Sequence, residues 1–237
     1  MKQIRRSLGI LVLTLSTTLA VTLGISALAQ QADPPAVESH MREHFARATL
    51  LQTAIIEADL ERAREQAAWL ADHGSPQGLP DGWQPFVEDL RGLAAEISAA
   101  RGLVVAAGAT ADLALACGRC HQKFQVNTWL ESTSMPPQGN DIADRMARHQ
   151  WAADRLWEGL IGGSDSAWLR GAEILAEVPL TATQVLGEPS TTADFLADRV
   201  HRLGREARET ARQESRARLY GNLLTTCAEC HNQYRNR

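Results

Sequence analysis

Apolar positions along most of this chain recur every three or four residues, the spacing of one face of an α-helix. The clearest stretch is Met41, His44, Ala48, Leu51 and Ile55, and the same 3-4-3-4 stripe returns as Met146, His149, Ala153, Leu156 and Leu160. This is the a/d pattern of helices packed in a bundle. The first half reads as four helices: A over about 36–57, B over 59–73, C over 84–106 and D over 109–126. The Gly/Pro-rich run from Gly74 to Gly82 ends B. In the second half Gly162-Gly163-Ser164-Asp165 is a helix stop followed by an N-cap. Helices B, C and D then fall at about 166–177, 191–212 and 215–235.

The two halves are copies. Met41-Arg-Glu-His44 and Met146-Ala-Arg-His149 are 105 residues apart, and two cysteine motifs downstream are 110 apart. Residues 36–130 and 141–237 form the two units, joined by a turn-rich linker over 131–140 with two prolines. The expected fold is all-α: two tandem four-helix bundles.

Few aromatic residues and many Ala, Leu and Arg suit that fold. Residues 1–29 read as an export leader: Lys2, Arg5 and Arg6 precede an acid-free apolar stretch, and Ala27-Leu28-Ala29 is a cleavage signal. Left uncleaved, the stretch is long enough to anchor the chain in a membrane. Either way the body is expected on the periplasmic side. Without the three leader cations, 21 basic residues face 28 acidic ones, a net charge of −7 that argues against nucleic acid as a partner.

All four cysteines fall in two copies of Cys-x-x-Cys-His: Cys117-Gly-Arg-Cys120-His121 and Cys227-Ala-Glu-Cys230-His231. This is the attachment signature of a c-type haem. The paired thiols, Cys117 with Cys120 and Cys227 with Cys230, add across the haem vinyl groups. His121 and His231 then ligate iron on the proximal side, giving two haems c per chain. A four-cysteine zinc site needs no histidine after each pair, and a thioredoxin-like pair needs a βαβ setting. The motifs stand at the end of helix D. An up-down-up-down bundle brings that end beside the start of helix A. His44 and His149, on the apolar stripe, are therefore the distal candidates. Met41 and Met146, one turn earlier, are their competitors, and with neither the site is open. His40, His73 and His201 have no counterpart in the other copy and read as surface or structural residues.

With Phe124 and Tyr234 three residues after each haem histidine, the chain resembles the cytochrome c-prime family, class II cytochromes c. The resemblance spans about 200 residues as two units. It implies a bundle whose haem hangs from the last helix, with Phe124 and Tyr234 packing in the haem pockets. It also implies self-association through helices A and B, made between chains or within the tandem. The family's basic residue after the aromatic is matched by Arg235 and replaced by Gln125. Family members leave the distal position apolar or give it methionine, so histidine there is a departure. The expected function is one-electron transfer by bis-histidine low-spin haems, with periplasmic or membrane-bound redox proteins as partners and no enzymatic activity. The rival is c-prime-like binding of nitric oxide or carbon monoxide at an open distal site. The arginines Arg199, Arg202, Arg205, Arg208 and Arg212 read as a solvated helix face, and the tryptophans as core.

Overall fold

The computed structural model describes residues 34–73, 79–80, 82–126, 128, 134–139, 141–177 and 180–235. These residues are all-helical, with no strand among them. The first half holds α1 (Pro34–Ile56), α2 (Leu60–Asp72), α3 (Gln84–Ser98) and α4 (Leu103–Lys123). The second holds α5 (Ile142–Ile161), α6 (Asp165–Leu175), a short α7 (Ala182–Leu186), α8 (Thr191–Glu209) and α9 (Gln213–Tyr234). The leader lies outside the described residues, as does part of the linker.

Local chemistry sets the ends of these helices. Asp59, Asp141, Ser164 and Ser190 cap α2, α5, α6 and α8, each accepting a backbone N–H from the first turn. Thr181 and Gln184 form a capping box around α7, an element the apolar pattern did not predict. Pro85 opens α3. The break between helices C and D was expected near residues 106–109 but falls at 99–102, where Gly102 is extended. The two halves share a backbone feature at the turn after their first helix. Ala58 (φ 61°) and Gly163 (φ 65°), 105 residues apart, take the same left-handed conformation at the α1–α2 and α5–α6 turns.

Neighbouring helices pack in the same order in both halves: α1 on α2, α2 on α3 and α3 on α4; α5 on α6, α6 on α8 and α8 on α9. The contact between the halves is extensive and runs through α4 against α9, with α4 also on α5 and α1 also on α9. Pairing of helices A and B, implied by the resemblance, is therefore not what joins the two copies here. The small residues of α4 explain the difference. It is buried on nearly all sides, largely through alanines (Ala106, Ala107, Ala109, Ala111, Ala114 and Ala116). At the crossing, a Cβ on Gly221 of α9 would lie 3.3 Å from Gly108 Cα and 3.6 Å from Ala111 Cβ. Ala111 and Gly221 are repeat equivalents, so the helices cross at the same position of each copy. By length and apolarity α4 passes for a membrane span, but over half of that stretch is buried inside the fold.

The stripe seen in the sequence is buried where expected, at Ala48, Leu51, Ile55, Ala153, Leu156 and Leu160. Trp157 and Trp168 are core residues, the latter donating its indole N–H to the Ala207 carbonyl at 2.8 Å. Along α8, Arg202, Arg205 and Arg208 are exposed, as a solvated face requires, and so is Arg212 just beyond it.

Gly118 and Ala58 predict opposite effects of exchanging the same two residue types. A Cβ on Gly118 would overlap the Leu160 carbonyl of α5, which is backbone and has little room to move. Gly118→Ala is expected to lower stability by about 1–3 kcal/mol. Ala58→Gly relieves the left-handed strain and is expected to raise it by about 0.5–1 kcal/mol. Urea denaturation followed by circular dichroism measures both.

Candidate functional site

Each Cys-x-x-Cys-His motif occupies the last turns of its helix, Cys117 to His121 on α4 and Cys227 to His231 on α9. No disulfide links any of the four cysteines. Burial pushes the Cys117 and Cys227 thiols up to about 12, and it raises Cys120 and Cys230 as well. Among the described residues the cysteines do not converge into a metal-binding group, which removes the four-cysteine zinc alternative.

The motif of each copy docks on the first helical hairpin of the other copy. His121 Nδ1–H donates to the carbonyl of Ile161, at the end of α5, over 2.7 Å. Gln122 abuts Gly163 in the α5–α6 turn. Reciprocally, His231 and Asn232 line a polar surface groove with Glu57, Ala58, Asp59, Leu60 and Glu61 of the α1–α2 turn. Ile56, the repeat equivalent of Ile161, is the carbonyl beside His231, although His231 Nδ1 does not close a hydrogen bond. Protonating Nδ1 leaves Nε2 of an imidazole as its lone-pair donor, the form that binds a metal. Burial lowers the pKa of both rings, so both are neutral at physiological pH.

On the other side of the second motif lies a cavity of about 260 Å³. Cys227, Cys230 and His231 of α9 line it, and Met146 and His149 from the start of α5 line it too. Its remaining wall is mostly apolar, including Leu175, Leu180, Val185, Leu196 and Val200, with Ile56 from the first copy. The sequence-predicted members of this site are therefore brought to one cavity. Burial holds His149 down at about 4, against the nearby Glu177 carboxylate and with Arg145 and Arg148 acting in the same sense as burial. Tyr234 sits at the α9 end, its hydroxyl 3.4 Å from Ser190 Oγ. Arg235 pairs with Glu57 at 3.6 Å, again across the two copies.

The first motif has a different surround. Phe124 packs against Trp83 and Phe86, with ring centroids 5.3 and 5.5 Å away. Gln125, replacing the expected basic residue, has a left-handed backbone (φ 53°). His44 is half-buried, one turn beyond Met41 on α1. It meets His40, Trp69 and His73 at centroid distances of 4.1, 5.4 and 5.6 Å. Burial lowers its pKa to about 4, helped by His40 and His73. His40 and His73, read from the sequence as surface or structural residues, belong to one cluster with His44. Their lack of a repeat counterpart hid the grouping.

Comparison with protein-family models, with curated proteins and with solved structures returns no match.

Between the two motifs the halves share a buried polar junction. Gln52 of α1 donates to Tyr220 of α9 at 3.0 Å and to Asp154 of α5 at 3.2 Å, and Tyr220 donates to the Ala153 carbonyl at 3.1 Å. Close by on α5, Arg155 donates to Glu158. Burial raises the Glu158 carboxyl from 4.5 to about 7, with Asp154 adding to the rise and Arg155 opposing it. The folded chain then binds this proton more tightly than the unfolded chain. The associated stability is fully present below about pH 4.5 and is lost as pH rises through about 7. Glu158→Gln, compared with the parent chain in urea titrations at pH 5 and pH 8, is expected to remove that part of the slope. An unchanged pH dependence would contradict it.

Proposed function

We propose that the chain is an exported electron carrier of the class II cytochrome c kind, made of two tandem four-helix bundles with one haem c on each. The observation that carries this reading is the second cavity. Two thiols and an imidazole line one side, a second imidazole and a thioether line the other, and apolar side chains fill the rest. That donor set fits a haem held covalently from α9 and faced by α5. It does not fit a hydrolytic site, which needs a nucleophile with a base and its orienting group.

In this reading Cys227 and Cys230 hold the haem through thioether bonds, and His231 ligates iron from the proximal side. His149 is the distal ligand, its burial keeping the ring neutral and its nitrogen available. Met146, on the same wall, is the weaker alternative. Cys117, Cys120 and His121 hold the first haem, with His44, the repeat equivalent of His149, offered to its distal side. Phe124 and Tyr234 pack beside the two haems. When bound, each haem supplies one-electron exchange between ferric and ferrous iron, and a second imidazole in place of methionine lowers its potential. Protein ligands on both faces leave no vacant position for substrate, which favours electron transfer over gas binding. The acidic, exported body suits a periplasmic redox-protein partner, with membrane anchoring by an uncleaved leader as the variant.

Optical and paramagnetic-resonance spectra of the ferric protein test this. Two haem irons per chain and two low-spin signals are expected, and His149→Ala should turn one of them high-spin. High-spin iron at both sites, with carbon monoxide binding to the ferrous form without ligand loss, would favour the gas-binding rival. Replacing Cys227 and Cys230 together by alanine should halve the covalently bound haem.

A further inference from the structure

The cluster of His40, His44 and His73 has no equivalent in the second copy, and of its members only His44 enters the haem reading. His40 and His44 are four residues apart on α1 and so share a face one turn apart. The chain then turns at 57–59. His73 ends α2 about as far beyond the turn as His44 stands before it, so the hairpin returns it to the same place. The ring centroids lie 4.1 Å apart for His40 and His44, 5.4 Å for His40 and His73, and 5.6 Å for His44 and His73. One ring nitrogen from each lies within 4.8 Å of the other two. Among the described residues this is the only group of three or more His, Cys, Asp or Glu side chains so converged.

We propose that His40, His44 and His73 hold one divalent transition-metal ion of the zinc class. Zinc takes imidazole nitrogen at about 2.0–2.1 Å, which puts tetrahedral donors about 3.3 Å apart. The ring nitrogens, within 4.8 Å of one another, must draw closer together to reach that spacing. His44 Nε2 is buried and has no hydrogen-bond partner among the described residues, which leaves it available to a metal. The rings are also braced. Trp69 stacks on His73 at 3.8 Å and meets His44 edge-on, and the His73 backbone N–H is tied to the Trp69 carbonyl at 2.8 Å. The Glu43 carboxylate, 3.8 Å from His73 Nε2, places negative charge beside the ion. Three imidazoles with one position left over is the donor set of an open zinc site, and soft-metal selectivity is not expected without a thiolate.

One ring nitrogen serves one metal, so the ion and the first haem iron compete for His44. In that respect alone the inference rests on the haem reading. The test uses the full chain without a polyhistidine tag, freed of loose metal by a chelator. Zinc chloride is titrated in by calorimetry, and haem iron is counted separately. One zinc ion per chain is expected. His40→Ala and His73→Ala should each weaken it by about 10-fold or more, since losing a ligand costs at least as much as losing an outer-shell partner. His201→Ala should bind as the parent does, and circular dichroism confirms that each variant is folded. No saturable zinc binding, or binding unchanged in both variants, would overturn the site. If two haem irons are present in that case, the haem reading survives. Zinc bound by a chain carrying no haem iron would support the site and sink the haem reading. As zinc fills the site, half of the ferric low-spin signal should become high-spin. A spectrum unaltered at saturation would overturn the competition for His44.

Discussion

The close crossing of α4 and α9 is the contact on which the rest of the molecule depends. Both helices end in a Cys-x-x-Cys-His motif, and both pass each other at equivalent positions, Ala111 and Gly221. Small side chains there let the backbones approach until apolar side chains on every side are excluded from water. The approach then carries each helix end past its own copy and onto the first hairpin of the other. His121 reaches Ile161, Gln122 reaches Gly163, and His231 and Asn232 reach the α1–α2 turn. Gly118 belongs to the same constraint, because a side chain there would hold α4 away from α5.

This crossing also explains why a cavity lies where it does. Within a copy, the first and last helices touch only lightly, while each packs against the other copy's partner. A gap remains between the start of α5 and the end of α9, walled by α6, α7 and α8. That gap is the space into which Met146, His149, Cys227, Cys230 and His231 all face. One element thus does two jobs: α9 gives one side to the junction between copies and the other to the candidate haem pocket. The buried Gln52–Tyr220–Asp154 contacts lock this orientation, since each polar group would be left unsatisfied if the halves slid.

Much of this was legible in the sequence. Helical class, the duplication, the helix A stripe and the grouping of His149 with the second motif follow from periodicity and spacing. What was not legible has a common physical cause. Periodicity identifies a buried face but not what buries it, so nothing in the sequence told that α4 packs on α9 and α5 of the other half. The break expected near 106–109 lies earlier, and Gly108 falls inside α4, where the α9 backbone comes close. His73 lies far from His40 in sequence and is joined to it only by the length of the α1–α2 hairpin. Comparison of the copies, which exposed His44 and His149, concealed His40 and His73, because the second copy has no such pair.

Two equal motifs consequently sit in unequal fields. The first leans on a closed hydrogen bond to Ile161, at the carbonyl end of a helix where the partial charge is negative. The second lacks that closed bond, and Arg235 and Glu57 stand beside its histidine. At the proposed distal positions, His44 faces two further imidazoles, whereas His149 faces Glu177 with Arg145 and Arg148. Hydrogen bonding to the proximal imidazole makes it a stronger electron donor, and buried charges near a redox centre shift the balance between its oxidation states. The two halves thus share a helical frame, while the side chains around their motifs differ. With a haem on each motif, as proposed, these unequal surroundings would give the two irons different electron affinities within one chain.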